Sequence, residues 1–227
     1  MHAETLPERK VPIVAIEGVD ACGKGTQSYR LSRMLTEKHL LSSIVTSVVP
    51  DGLGQISYLR KFLVGGQPVS RISELLVYLA SIYEVCSYIQ KEEVDLAIMD
   101  RSIFSTLAYQ LVGRESAKEP FGVDKLFMDI YGHPQFFHAV VPDYVVVIDI
   151  DHDVQKERME RRGKLDHFER MPREFHERVR NYYLQLGNPS GSVASIVSGV
   201  GGMDEITENI YAAIKEMARP EHQHFFK

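Results

Sequence analysis

The sequence predicts an α/β protein in which a parallel sheet is covered by helices on both faces. Three observations carry that expectation. Short β-branched runs alternate with longer segments of helical period along the whole chain, the pattern from which strand-helix-strand units build a parallel sheet. A glycine loop, Gly18 to Lys24, stands between the first of these runs and the first helix. The run Tyr144 to Ile150 (YVVVIDI) is apolar almost throughout, as in a strand buried on both faces.

Bulk properties set the frame for these elements. The 227 residues predict a single domain, 1–227, with room for a substantial core. A hydrophobic content of 44% and a charged content of 25% are those of an ordinary globular chain. The net charge of −5 gives no basis for a nucleic-acid partner, which needs an excess of Lys and Arg. The opening MHAETLPERK carries acidic residues and no apolar segment, so no secretory signal is expected there, and no apolar run approaches the ~18 residues of a membrane span. Cys22 and Cys86 form no CxxC or Cys/His cluster, which excludes a zinc or disulfide framework and favours a reducing cytoplasm. Cys22 reads either as a small buried side chain or as a reactive thiol at a helix N-terminus.

The elements follow in order. Pro12 to Ile16 is the first strand, and Gly23 to about His39 is its helix, with Leu31, Met34 and Leu35 on one face. Leu41 to Val49 carries a second β-branched run, closed by Pro50, Asp51 and Gly52. Helical patterns follow at Gln55 to Leu63 and from Ile72 to about Lys91. The latter is apolar on more than one side, so it is central or lies in a subunit interface. Asp95 to Met99 is a short buried strand that runs into Asp100, Arg101 and Ser102, after which a helix is expected. A segment punctuated by Gly122, Gly132 and Pro134 leads to the Tyr144 strand. Then come a charged helix, His152 to Arg162, a helix over Arg170 to Leu186, and a loop at Asn188 to Gly191. Val193 to Val197 is the last strand, Asp204 to Ala218 the last helix, and His222 to Lys227 a frayed tail.

Gly18, Gly23 and Lys24 fit the GxxxxGK half of a Walker A loop, in which backbone N–H groups, a helix N-terminus and a lysine cradle a polyphosphate. The residue after Lys24 is Gly25, where a hydroxyl that touches magnesium is usual, and Thr26 stands one place later. The alternative is a tight strand-to-helix turn that binds nothing. A second set of polar groups sits where open α/β sheets bind ligands, at the carboxyl ends of strands. Asp100 is placed to hold magnesium through water and Arg101 to clamp a phosphate as a planar fork. Thr106 and Gln110, at i and i+4, share a helix face. An ordinary helix start is the bland alternative. Arg158, Arg161 and Arg162 form one cationic face before Gly163, either a lid that closes over phosphates or a solvated charged helix. No NKxD motif for guanine recognition is present.

These residues resemble thymidylate kinases over nearly the full chain. IEGVDACGKGTQ is similar to the family's EGxDxxGKxTQ loop, DRSIFSTLAYQ to DRYxxSSxAYQ, and RRGKLDHFE with EFHERVRNYY to the lid and the helix after it. The AYQ segment and the lid are more specific than the loop. The resemblance implies a three-layer α/β/α P-loop kinase fold with a five-stranded parallel sheet, a short arginine-rich lid at about 158–173, and commonly a homodimer. It implies transfer of the γ-phosphate of ATP to dTMP with magnesium. Carried over by position, Gly18, Val19, Asp20, Ala21, Cys22, Gly23, Lys24, Gly25 and Thr26 bind ATP, and Lys24 bridges its phosphates. Asp20 contacts the deoxyribose 3′-hydroxyl, Arg101 steadies the transferred phosphoryl group, and Asp100 lies near magnesium. Thr106, Tyr109 and Gln110 belong to the acceptor site, Tyr78 stacks on the base, and Arg60 meets the acceptor phosphate. With Ala21 in place of a loop arginine, the catalytic arginines come from the lid: Arg158, Arg161 and Arg162.

The departures weaken base specificity more than chemistry. Val48 and Val49 replace an arginine and an acid, Ile82 replaces the arginine that bonds thymine, DRY reads DRS, and His167 replaces the second lid arginine. A lost bidentate base contact is worth ~1–3 kcal/mol of discrimination by analogy with base-edge readout. Another nucleotide or deoxynucleoside kinase, or a noncatalytic nucleotide-binding subunit, are therefore the competing expectations.

Overall fold

The structure, a computed structural model, describes residues 10–48, 50, 58, 70–114, 123–187 and 193–226. The expectations placed on Val49, Asp51 and Gly52, on Gln55 to Leu63 apart from Tyr58 and including Arg60, on Gly122 and on Asn188 to Gly191 lie outside the described residues.

Five parallel strands form one sheet in the order β2-β3-β1-β4-β5. They are β1 (Ile13–Glu17), β2 (Ser43–Ser47), β3 (Leu96–Asp100), β4 (Tyr144–Asp149) and β5 (Ser195–Ser198). The central strands are those with near-continuous apolar sequence. Ile13, Val14, Ala15 and Ile16 are all inaccessible, as are Leu96 to Met99, because helices cover both faces. The edge strands β2 and β5 mix serine with β-branched residues and are only partly buried. The structure thus bears out the alternating pattern, and the strand boundaries shift by one to two residues from those read off the sequence.

Register decides what meets at the carboxyl edge. Ile16 pairs with Asp100 on one side of β1, and Glu17 pairs with Val147 on the other. The loop after β1 therefore opens in the middle of the sheet, beside the residues that follow β3.

Helix α1 (Lys24–His39) buries Leu31, Met34 and Leu35 and ends at Leu40 in the left-handed region, whose N–H bonds Leu35 O. Helix α2 (Arg71–Ile89) is capped by Ser70, which accepts from Ser73 N at 3.2 Å. By length and mean hydropathy α2 alone among the described residues would pass for a membrane span, although polar residues interrupt its apolar run. Its Leu75, Leu79, Ile82, Val85 and Ile89 are instead buried in the core. Helix α3 (Ile103–Val112) begins as α and becomes π over Leu107–Val112. Helices α4 (Val123–Tyr131), α5 (Pro134–Val140), α6 (His152–Arg162), α7 (Arg173–Leu186) and α8 (Met203–Met217) complete the layers.

The described tail, Pro220–Phe226, is not frayed. A 3-10 turn spans Pro220–Phe226, Phe226 is buried, and Tyr144 Oη lies 2.6 Å from His222 Nδ1 and accepts from Arg219 N at 3.1 Å.

Candidate active site

The loop Gly18 to Gly23 is built on backbone conformations that its residues must supply. Gly18 has φ +138, and an added Cβ would sit 2.4 Å from Ile148 O. Gly23 has φ +105 and opens α1. Ala21 and Arg101 also lie at positive φ, 62 and 74, which is uncommon for residues with a Cβ and concentrates at functional sites. Lys24 is buried, and its Nζ donates to Gly18 O at 3.1 Å and Val19 O at 2.7 Å and lies 3.6 Å from Cys22 Sγ. The lysine thus folds back over its own loop. Cys22 is buried, which favours its bland reading.

The register of β1 and β3 brings Arg101 onto this loop. Arg101 N donates to Ile16 O at 3.1 Å. The guanidinium forms an ion pair with Asp20, bonds Ser105 Oγ at 3.1 Å and lies over the Tyr109 ring at 4.9 Å. Tyr109 donates its own hydroxyl to Asp20 Oδ2 at 2.9 Å. Burial pushes the Asp20 carboxyl upward, but Arg101, Lys24 and the Tyr109 bond outweigh it and hold Asp20 below the ordinary carboxylate value. Burial, reinforced by Asp20, drives the Tyr109 phenol far up, so it stays a donor.

Asp100 flanks the loop on the same edge. Its Oδ1 is buried without a hydrogen-bond partner, and an added Cβ at Gly25 would come 3.0 Å from its Oδ2. Residue 25 as glycine therefore leaves a gap between α1 and Asp100 that a side chain would crowd. No cluster of three or more His, Cys, Asp or Glu side chains suited to a metal occurs among the described residues.

Thr106, Tyr109 and Gln110 are all buried on α3. The π turn, closed by Gly113 N to Ala108 O at 2.8 Å, widens the helix and re-aims this segment relative to an ordinary i, i+4 face. Tyr78 is partly buried on α2, and its phenol is pushed up to about 12 by burial and by Glu74. Ile82 is fully buried. One face of α2 also carries Arg71, whose Nη2 donates to Gln110 O at 3.1 Å, and Glu74, which accepts from both terminal nitrogens of Arg114 at 2.6 and 3.2 Å.

The three α6 arginines make separate contacts. Arg158 binds the loop from behind, donating to Ala21 O at 3.3 Å, Cys22 O at 3.2 Å and Gly199 O at 2.8 Å. Arg161 is exposed and bonds Glu157 one turn back. Arg162 pairs with buried Glu169, which also accepts from Asp166 N while its own N–H bonds Asp166 Oδ1. The turn after α6 rests on Phe168, edge-on to Tyr109 at 5.5 Å. His176 on α7 lies 3.3 Å from Gln155 and 3.1 Å from Met171 O. Burial depresses its pKa, helped by His152 and opposed by Asp20.

Sequence reasoning missed Glu17, Arg71, Glu74, Arg114 and Tyr183. Glu17 left one signal: a charge that ends an apolar strand directly before the loop.

A glycine loop opening α1 from the middle of a parallel sheet, faced by an aspartate and an arginine from the neighbouring strand end, defines a P-loop phosphotransferase. The family model described as thymidylate kinase matches residues 16–210. The chain belongs to the thymidylate kinase family. It is 32% identical over 206 residues to the thymidylate kinase of Fervidobacterium nodosum, covering 87% of this chain and 95% of that one. With the thymidylate kinase of Carboxydothermus hydrogenoformans it shares 34% over 177 residues, 76% of this chain and 82% of that one. The solved thymidylate kinase of Candida albicans has the same fold, with a TM-score of 0.69 at 20% identity over 96% of this chain and 95% of the other.

Proposed function

We propose that the protein transfers the γ-phosphoryl group of ATP to dTMP, giving dTDP and ADP, in one domain, 1–227, whose lid is about 158–173. The observation that carries this is the meeting of Lys24, Asp20, Asp100, Arg101 and Tyr109 at the carboxyl edge of the sheet, in a chain of this family.

The backbone of Gly18 to Thr26 receives the ATP phosphates, and Lys24 exchanges the carbonyls of Gly18 and Val19 for phosphate oxygens. A phosphate oxygen of dTMP attacks the γ-phosphorus in line, forming the new P–O bond as the bond to ADP breaks. Arg101 steadies the moving group, and Asp20 turns from Arg101 to the deoxyribose 3′-hydroxyl. Tyr78 stacks on the base, with Thr106, Tyr109 and Gln110 lining its edge. Arg71, anchored on Gln110 O, brings a guanidinium beside the base-edge residue Gln110, while Ile82 is buried in the core and offers no polar atom. Arg60 meets the acceptor phosphate. Arg158 braces the loop, and Arg161 and Arg162 belong to the lid.

The partnerless Asp100 Oδ1 and the gap at Gly25 fit a hydrated divalent cation. Asp100 would hold Mg2+ through water, with phosphates and water as its other ligands. The ion's chemistry is to neutralise phosphate charge. Leu76 and Tyr83, exposed on α2, support a homodimer, and the two free thiols support a reducing cytoplasm.

A coupled ADP-release assay with dTMP, dUMP, dCMP, AMP and thymidine tests this reading. Turnover is expected with dTMP foremost. Phosphorylation of thymidine without dTMP, or ATP binding without turnover, would overturn it.

A further inference from the structure

Glu17 ends β1 and is completely buried. Its carboxylate accepts four hydrogen bonds, all from neutral donors. Oε1 takes Ser102 N and Ser102 Oγ, each at 2.7 Å, and Oε2 takes Ser105 Oγ at 2.7 Å and Tyr183 Oη at 3.0 Å. A buried carboxylate is costly even when it is bonded, and an apolar side chain of similar size would serve packing better. What the charge gains is a hold on Arg101 from two sides.

The first hold is on the main chain. Arg101 sits at φ 74, a conformation that must be imposed from outside. Glu17 binds the next N–H and the next hydroxyl, both of Ser102, while Arg101 N is tied to Ile16 O. Serine in place of the family's tyrosine at 102 thereby closes the network. The second hold runs through the side chain. Ser105 has one proton and gives it to Glu17 Oε2, which leaves its lone pairs facing Arg101 Nη1 at 3.1 Å. When Asp20 turns to the acceptor, Ser105 is the hydrogen-bond anchor left on the guanidinium beside the Tyr109 ring, and its orientation is set by Glu17. Tyr183 brings α7, the helix after the lid, into the same cluster.

We infer that Glu17 is a positioning residue for phosphoryl transfer: through Ser105 and Ser102 it holds the Arg101 guanidinium where the transferred group passes. The inference rests on the role given to Arg101 above. It assigns Glu17 no contact with substrate, so its removal acts on turnover and leaves binding alone.

The test is a kinetic cycle of Glu17→Gln, Arg101→Ala and the double variant, with ATP and dTMP as substrates and nucleotide binding measured separately. For Glu17→Gln the expected loss in kcat is about 10- to 100-fold, by analogy with the removal of outer partners of metal ligands. Both KM values and ATP affinity should stay within about twofold of wild type, and the double variant should be no slower than Arg101→Ala, because both changes remove the same contact. Losses that multiply in the double variant, or a Glu17→Gln effect confined to ATP affinity and thermal stability, would make Glu17 a structural residue and overturn the inference. Should Glu17→Gln not accumulate as folded protein, Ser105→Ala, which keeps the carboxylate, carries the same cycle with the same expectations. A wild-type kcat in Arg101→Ala would instead remove the reading of Arg101 itself, and a failure there is distinguishable from additive losses.

Discussion

Replacing Gly18 by alanine should damage this protein far more than replacing Gly23, although both are loop glycines at positive φ. At Gly18 the Cβ would stand 2.4 Å from Ile148 O and 2.9 Å from Cys22 Sγ. The close approach is a consequence of register: Glu17 pairs with Val147, so the next residue of the loop is driven against the next carbonyl of β4. That oxygen belongs to a central strand and has little freedom to retreat. The conformation alone costs a residue with a Cβ about 1–3 kcal/mol. Forcing a methyl group into packed surroundings adds about 1–3 kcal/mol. At Gly23, with φ +105 and nothing within 4 Å of the added Cβ, only the conformational cost applies. The two variants should therefore differ by about 2 kcal/mol, with Gly18→Ala the weaker, out of the roughly 5–15 kcal/mol that stabilises a typical domain. Urea unfolding at unchanged m-value measures this. Because Gly18 O accepts from Lys24 Nζ, ATP affinity should fall with it. Equal losses in the two variants, or a neutral Gly18→Ala, would refute the steric argument.

Arg101→Ala should lower kcat by roughly 10²- to 10³-fold with a much smaller rise in KM for ATP, as for an interaction that strengthens in the transition state; steady-state kinetics checks it. Arg158→Ala should destabilise the fold by about 2 kcal/mol and weaken ATP binding, since its guanidinium bonds three carbonyls of the loop and of the segment after β5. Arg162→Ala should reduce turnover, whereas Arg161→Ala, at an exposed site, should stay within about 0.5 kcal/mol of wild-type stability and near wild-type kcat. His176 titrates below its ordinary value in the fold, so the unfolded chain takes up its proton first. Its contribution is complete above the unfolded pKa of about 6.5 and is lost as pH falls from there through the depressed folded value. Unfolding midpoints should drop across that window in wild type, and the drop should be shallower in His176→Gln.

The fold was legible because its strands are chemically unlike its helices. Runs such as IVAI and YVVVI have no polar face, which only a doubly covered parallel strand accommodates. Gly18 and Lys24 marked the loop by residue type and spacing. Convergence was harder to read. That Asp20 pairs with Arg101, 81 residues away, follows from the β1 to β3 register, which spacing does not encode. The α6 arginines looked like one surface because i, i+3 and i+4 share a face. Arg158 nevertheless reaches the loop carbonyls, while Arg161 finds Glu157 and Arg162 finds Glu169. The tail misled for a similar reason: His222 and Phe226 gain partners in Tyr144 and Tyr211 that only the folded chain supplies.

The central claim is a transfer from ATP to dTMP at the edge where β1 and β3 end. Phosphorus NMR of the protein with ATP, dTMP and Mg2+ follows every phosphate at once. The account predicts that the dTMP resonance gives way to the paired α and β signals of dTDP, with ADP appearing in equal amount and no inorganic phosphate. ADP and inorganic phosphate with dTMP unchanged, or no reaction at all, would contradict it.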